Sequence, residues 1–463
     1  MPASPTPLIV TRATRIAAPR EALWQWHAAL GAFERLVPPW QRVEVIHGGG
    51  ALTAGSTVTL RLARGPFRVR WRLTHPSVEA GHGFSDEQIT GPFAAWRHEH
   101  RFEDDGAASR LVDRISVRLP GGRLGKTLAG GVVRGMLEQL LRYRHAVTRD
   151  DLEQQARHPL APMRIAITGA SGLVGSALTP FLRVQGHEVI PISRRAIAGG
   201  IQWDPSAGQL DSARLEGLDA VIHLAGASIA SGRWTVERKA LLRESRIRPT
   251  SLLATRLAGL ARPPRLLISA SAVGAYGSRG DETLSEASTL GEDFLALLAR
   301  DWEAAAEPAR QAGIRVVHPR FGVVLSPRGG ALAKLLTPFG LGLGGPVGSG
   351  SQWLAWIGID DLLGVLHHLL ASDQLAGPVN AVSPHALTNA EFGRTLGRVL
   401  GRPAVLPLPA PVLRLAFGEM ADATLLASQR VDPTALGASG YRWRHPDLEG
   451  ALRHLLGRQR PDP

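Results

Sequence analysis

The stretch RIAITGASGLVGSALTPFLRVQGHEVIPIS, residues 164–193, reads as a strand, a glycine turn, a helix and a second strand. RIAIT at 164–168 and EVIPIS at 188–193 are short apolar runs of the kind that form buried parallel strands. Between them Gly169, Gly172 and Gly175 stand at G-x-x-G-x-x-G spacing, followed by helical character over 177–185. The position of these glycines matters more than their number. A turn without side chains lets backbone N–H groups approach a diphosphate, and a helix starting near Ser171 would aim the positive end of its dipole at the same place. The segment is therefore read as the first βαβ unit of a dinucleotide-binding α/β fold, with Gly169, Ser171, Gly172, Leu173, Val174 and Gly175 forming the cradle.

The end of the second strand chooses between nicotinamide cofactors. An acidic residue there would hold a ribose 2′-OH, whereas arginine accommodates a 2′-phosphate. This chain has Ser193, Arg194 and Arg195. Two planar guanidinium groups and a hydroxyl favour NADP(H) over NAD.

Working outward, the strand–helix alternation continues through DAVIHLA (219–225), RLLISAS (265–271) and RVVHPR (315–320), which implies a doubly wound parallel sheet. A Pro-rich entry, LPLPAPV, opens a mainly helical C-terminal subdomain, placed at 403–463. Upstream, the polar, proline-containing QQARHPLAP at 154–162 marks a seam between domains, placed at 1–157 and 163–402. Before it, alternating segments at 56–62, 67–73 and 111–119 read as an antiparallel sheet. A long helix follows, with Val133, Met136, Leu137, Leu140, Leu141 and Arg144 on one stripe.

Composition removes several classes of function. With 463 residues the chain is long enough for two or three cores, and it has no cysteine, which excludes disulfides, zinc–thiolate sites and thiol nucleophiles. No apolar run spans a membrane and no secretory signal is evident at the start, so cytoplasmic residence is expected. The formal net charge is +13, but only Lys126, Lys239 and Lys334 are lysines among 53 basic residues. No dense basic tract is interleaved with aromatics, so nucleic-acid binding is not expected. Gly125-Lys126-Thr127 mimics the end of a P-loop, but Pro120 stands where the first glycine is required.

Beyond the glycine turn, GHEVIPISRR (186–195), HLAGASIASGRW (223–234), SASAVGAYG (269–277), FLALLARDWEAAA (294–306), PRFGVVLSPRGGALAKLL (319–336), GLGGPVGSGSQWLAWI (342–357) and LTNAEF (387–392) resemble the extended short-chain dehydrogenases/reductases. Within that group they resemble the atypical epimerase-family proteins related to nucleotide-sugar epimerases, over nearly all of 163–455. The resemblance implies that Leu224, Ala225 and Gly226 line the cofactor and that Arg246 is a further contact. It also implies a tyrosine with a lysine four residues later, and that pair is missing: none of Tyr143, Tyr276 and Tyr441 is followed by such a lysine. Ser269 or Ser271 is expected near the nicotinamide. Tyr276 is a candidate replacement acid, and Asp301 and Glu303 are candidate bases. Trp356-Ile357-Gly358-Ile359-Asp360-Asp361 resembles the family's W-I-H-x-D-D element, with glycine replacing histidine. Its aspartates are expected to cap a helix start, and the glycines at 344–350 to form a flexible loop that either covers a pocket or is a plain connection.

In the N-terminal part, GPFAAWRHEHRFEDDGAASRLVDRISVRLPGG at 91–122, together with the helix after it, resembles the polyketide-cyclase branch of the START-like (SRPBCC) superfamily, over about 9–149. That resemblance implies an α+β helix-grip domain with a cavity for a small hydrophobic ligand. His98 and His100 alternate and so share a strand face, but no third ligand lies near them in sequence, and no metal is assigned. The complete expectation is an α/β Rossmann domain preceded by a helix-grip domain. Such a protein is an NADP(H)-dependent oxidoreductase or epimerase acting on an unknown small molecule; the alternative is a non-catalytic NADP(H)-sensing or ligand-binding protein. Paired surface helices make a homodimer one assembly open to such a protein, and no residue in the sequence decides it.

Overall fold

The computed structural model describes residues 6–50, 52–65 and 67–459. The chain forms two compact units, one built from 1–159 with 180–186 and 454–463, the other from 160–179 with 187–453.

In the first unit seven antiparallel strands run β1 (Leu8–Ile16), β2 (Arg42–His47), β3 (Thr57–Arg64), β4 (Phe67–Glu79), β5 (Gly83–Thr90), β6 (Ala95–Asp105) and β7 (Ala108–Arg118), in the order β1-β7-β6-β5-β4-β3-β2. Short helices α1 (Arg20–Ala28) and α2 (Ala32–Leu36) connect β1 to β2, and α3 (Gly122–Arg157) follows β7. Strict alternation makes one sheet face apolar: along β7, Leu111, Ile115 and Val117 are buried while Arg110, Arg114 and Arg118 are exposed. Leu137 and Leu141 of α3 close over that face with Leu60, Leu73 and Trp96. Each such side chain taken from water contributes about 1.5–3 kcal/mol before chain entropy is counted. Met136, expected on the same stripe, is 45% exposed. The helix-grip architecture is present, and the P-loop mimic at 125–127 is simply part of α3.

The second unit is built on a sheet whose parallel strands are β8 (Arg164–Thr168), β9 (Glu188–Ser193), β10 (Ile201–Asp204), β11 (Ala220–His223), β12 (Leu266–Ser269), β13 (Arg315–Phe321) and β14 (Gly377–Ala381). Their spatial order is β10-β9-β8-β11-β12-β13-β14, the doubly wound pattern in which the direction of winding reverses between the first and fourth strands. Helices α4 (Leu173–Val184), α5 (Val236–Ala258) and α6 (Phe294–Ala304) follow β8, β11 and β12. Strands buried on both faces favour near-continuous apolar runs: β11 and β12 are buried throughout, apolar up to His223 and Ser269 at their carboxyl ends, against Leu253 and Leu257 of α5. Thr235 caps α5 and Asp293 caps α6, each side chain accepting a backbone N–H of the first turn. Beyond 403 the helices are short (Ala410–Phe417, Thr434–Ala438, Leu448–Leu455), and an extended piece at Arg430–Val431 pairs with Thr283–Leu284.

Candidate functional site

The glycine turn closes tightly at the carboxyl end of β8. Gly172 N–H donates to Gly169 O at 2.9 Å, and α4 begins at the next residue. The three glycines have different tasks. Gly169 has φ +68°, and a β-carbon there would lie 2.9 Å from the backbone of Leu224; one at Gly175 would lie 2.3 Å from Gly169 O. Gly172 has ordinary φ and is exposed, so its missing side chain leaves the approach from solvent open. Leu173 and Val174, in the first turn, have N–H groups without intrahelical acceptors. This is a cradle that a β-carbon would fill, and it fits a diphosphate.

Arg194 and Arg195 are exposed just past β9, one strand away from the turn. Ser193 Oγ accepts the Arg195 N–H at 3.2 Å, which orders the bend and leaves the hydroxyl hydrogen available.

A buried network that the sequence reading missed holds the cradle in place. Thr168 Oγ1 accepts the N–H groups of Leu224 and Ala225, at 3.1 and 3.2 Å, so its hydrogen goes to His223 Nδ1 at 2.7 Å. Thr250 Oγ1 donates to Arg246 O at 2.7 Å and accepts from Trp302 Nε1 at 3.0 Å and from His223 Nε2–H at 2.9 Å. Every proton is thus assigned, and His223 must be the neutral tautomer protonated on Nε2. Burial pushes its pKa down to about 4, which agrees. Thr168 and His223 are register partners on β8 and β11, so the network sits at the winding reversal. The one sequence signal was a histidine inside the otherwise apolar run DAVIHLA.

Leu224, Ala225 and Gly226 are partly or fully exposed beside the cradle. Arg246, expected to touch the cofactor, is 7% exposed, and its guanidinium lies 3.3 Å from where a β-carbon on Gly226 would stand. Its guanidinium donates to Ala227 O and Leu242 O and lies 5.1 Å from the centre of the Trp302 ring. It therefore ties the backbone at Ala227 to α5.

The candidate catalytic residues separate into two groups. Ser271 Oγ donates to Glu303 Oε1 at 2.6 Å, and Arg320 grips both Glu303 oxygens at 2.9 Å. Arg320 also donates to Tyr276 OH at 2.9 Å, and Tyr276 OH donates to Asn380 Oδ1 at 2.7 Å. Burial alone would raise the Glu303 pKa, but Arg320 outweighs it and holds the carboxyl below its ordinary value. Burial raises the Tyr276 pKa, and the residue is fully enclosed with both hydroxyl positions used. Ser269 is also enclosed, its hydroxyl without a hydrogen-bond partner. Asp301 lies on the other side of α6 and pairs with Arg243 at 2.6 Å, away from Ser271. Arg320 and Asn380 were missed because they come from distant strands, β13 and β14.

Two local expectations are corrected. Asp360 and Asp361 do not cap the helix Ile359–Ala371: Gly358 occupies the cap position and offers no side chain. Asp361 instead accepts the N–H groups of Arg444 and His445 at 2.6 and 3.1 Å, and burial raises its pKa to about 6. The glycine loop at 344–350 is not free. Leu406 N–H donates to Gly344 O, Gly348 N–H to Leu408 O, and Val347 N–H to Asn389 Oδ1 at 2.7 Å.

In the first unit a cavity of about 160 Å³ lies between the sheet and α3. Apolar residues such as Leu60, Trp71, Leu73 and Trp96 line most of it, with His75, Asp86, His98, His100 and Arg144 at its polar side. The two alternating histidines, set aside in the sequence, thus acquire a third potential ligand, Asp86, from the neighbouring strand.

Comparison with known proteins agrees with this architecture. The model of the NAD dependent epimerase/dehydratase family matches residues 165–381, that of polyketide cyclase/dehydrase and lipid transport matches 16–143, and a domain of unknown function matches 408–455. An epimerase family protein of Mycobacterium bovis is 45% identical over 298 residues, 64% of this chain and 98% of its own length. The human epimerase family protein SDR39U1 is 39% identical over 297 residues, 64% of this chain and all of its own. Among solved structures, a nucleoside-diphosphate sugar epimerase from Corynebacterium glutamicum is 35% identical with a TM-score of 0.79, covering 97% of this chain and 90% of its own. Human SDR39U1 (isoform 2), solved with NADPH, is 38% identical with a TM-score of 0.60, over 63% of this chain and 99% of its own.

Proposed function

Because the chain belongs to the epimerase family, sharing 45% identity with a relative that it covers almost end to end, we propose that its second unit binds NADP(H) and acts on a small carbonyl or hydroxyl compound. The observation that carries the reading is the backbone cradle at Gly169, Gly172 and Gly175, with Arg194 and Arg195 exposed one strand away and no acidic residue at that strand end. The related human protein solved with NADPH supports the choice of cofactor. When bound, the nicotinamide would supply hydride chemistry. Gly172, Leu173 and Val174 would hold the diphosphate, and Ser193, Arg194 and Arg195 the 2′-phosphate. Ser271 is the candidate for orienting a substrate oxygen. Its hydroxyl is aligned by Glu303, whose pairing with Arg320 keeps it ionised and makes it a weak base. Tyr276, whose hydroxyl accepts from Arg320 and donates to Asn380, is assigned to positioning that pair in preference to proton transfer.

The test is paired titration with NADPH and NADH. Replacing both Arg194 and Arg195 with alanine should weaken NADPH by roughly 30-fold or more, the worth of charge-assisted bonds to a phosphate, and leave NADH nearly unchanged. Equal losses for both would overturn the 2′-phosphate assignment. The missing Tyr–Lys pair favours a second reading, cofactor binding without turnover. NADPH consumption across a panel of carbonyl compounds and nucleotide sugars separates the two.

A further inference from the structure

The polar side of the first unit's cavity is arranged by strand register. On the antiparallel β5–β6–β7 ladder, Asp86 stands opposite His98 and His100 stands opposite Asp113, all on one sheet face. The two rings are in contact, with centroids 3.9 Å apart. Each ring presents one nitrogen to each carboxylate. His98 Nδ1 and His100 Nε2 lie 3.9 and 3.4 Å from Asp86 Oδ2, while His98 Nε2 and His100 Nδ1 lie 3.6 and 2.8 Å from the two oxygens of Asp113. His145, on α3, adds its Nε2 to Asp113 at 3.2 Å, and His75 Nδ1 lies 2.7 Å from Asp86 Oδ1.

These approaches are short but poorly directed. His75 Nδ1, His98 Nε2, His100 Nδ1 and Asp113 Oδ1 are all buried without an aligned hydrogen bond. In Asp86, His98 and His100, by contrast, one ligand atom from each falls within 4.8 Å of the others. Around a tetrahedral ion with bonds of about 2.0–2.1 Å, ligand atoms are about 3.4 Å apart. The Asp86–His100 separation already has that value, the Asp86–His98 separation needs to close by about half an ångström, and the two ring nitrogens, within 4.8 Å of each other, converge on binding.

We propose that Asp86, His98 and His100 form a binding site for a divalent first-row transition ion, of the zinc or iron(II) class, with its open coordination position facing the cavity. Two imidazoles and one carboxylate, with no thiolate, select that class of ion. Asp113 stands where an outer carboxylate stands behind metal-bound histidines: its oxygens lie 2.8 and 3.6 Å from the ring nitrogens that face away from the ion, and a bound ion would align those contacts into hydrogen bonds. His145 steadies Asp113, and His75 steadies the far oxygen of Asp86. Trp71, Trp96, Leu60 and Leu73 line the space in front of the open position, so a mainly apolar molecule carrying one oxygen donor is the ligand that would complete the shell. The site is separate from the dinucleotide cradle and does not depend on it.

The test uses the full chain without a polyhistidine tag, stripped with a chelator and titrated with zinc by calorimetry and with cobalt(II) by visible absorption. One equivalent should bind with micromolar affinity or better. Because the chain has no cysteine, a cobalt band must come from nitrogen and oxygen ligands. His98→Ala and Asp86→Asn should each weaken zinc at least 100-fold, and Asp113→Asn by roughly 10–100-fold, the usual cost of losing an outer partner. Circular dichroism checks that each variant folds. Where a variant fails to fold, the cobalt spectrum of the unaltered chain decides alone. Absence of a cobalt band at one equivalent, or unchanged zinc stoichiometry in folded His98→Ala, would overturn the site and leave a purely ion-paired histidine cluster.

Discussion

The glycines of the turn look alike in sequence and differ in what they tolerate. A β-carbon at Gly172 would stand 3.2 Å from Gly169 O, which the turn must ease by a few tenths of an ångström, so Gly172→Val should cost less stability than the same change at Gly175 but reduce dinucleotide affinity at least 10-fold in a fluorescence titration. Gly175→Val drives a side chain into Gly169 O and Ala170, where the gap is 2.3–2.7 Å, and should lower stability by about 1–3 kcal/mol or more in urea unfolding. Reversed outcomes would mean that the turn does not face the cofactor. His223 makes a second prediction. Its pKa in the folded chain, about 4, is below the value near 6.5 expected when unfolded. Between those values the unfolded state binds more protons, so the contribution of His223 is complete above pH 6.5 and is lost as pH falls toward 4. Acidifying from pH 7.5 to 4.5 should cost on the order of 2 kcal/mol through this group. His223→Gln should flatten that part of the profile, and an unchanged profile would contradict the buried neutral assignment.

At the level of helices and strands, legibility followed from how local each signal was. β8 and β9 were readable because each holds an unbroken apolar stretch, Ile165 to Ile167 and Val189 to Ile192, that cannot remain in water. β10, with the sequence IQWD after two glycines, and β14, GPVNA, are too short and mixed to stand out, and only the sheet makes strands of them. Asp301 and Glu303 could have been separated in advance, since two positions on a helix turn a side chain by about 200°, and the structure sends one to Arg243 and the other to Ser271. No periodicity could have joined Glu303 to Arg320 or Asp86 to His98, because helix-on-sheet packing creates the first pair and strand register the second. The Glu303–Arg320 pair offers a test of its own. Arg320 is 4% exposed and Glu303 partly so, so Arg320→Met leaves a half-buried carboxylate held by Ser271 alone and should destabilise the chain by about 2–4 kcal/mol. The double change Glu303→Gln with Arg320→Met should recover part of that loss, and failure to recover any of it would mean that the two side chains act independently.

Across the whole molecule, each unit carries its own core and its own polar centre, and the two families were legible because their motifs run almost the length of the chain. The chemistry was less legible because the usual tyrosine and lysine are absent and the groups that remain are drawn from β12, α6, β13 and β14. The net charge of +13 predicted neither fold nor site. One further consequence concerns the segment 344–350. Its glycines suggest looseness, yet its backbone is paired with 406–408 much as an edge strand would be. In heavy water the amide hydrogens of Val347, Gly348 and Leu406 should therefore persist far longer than those of other glycine-rich turns.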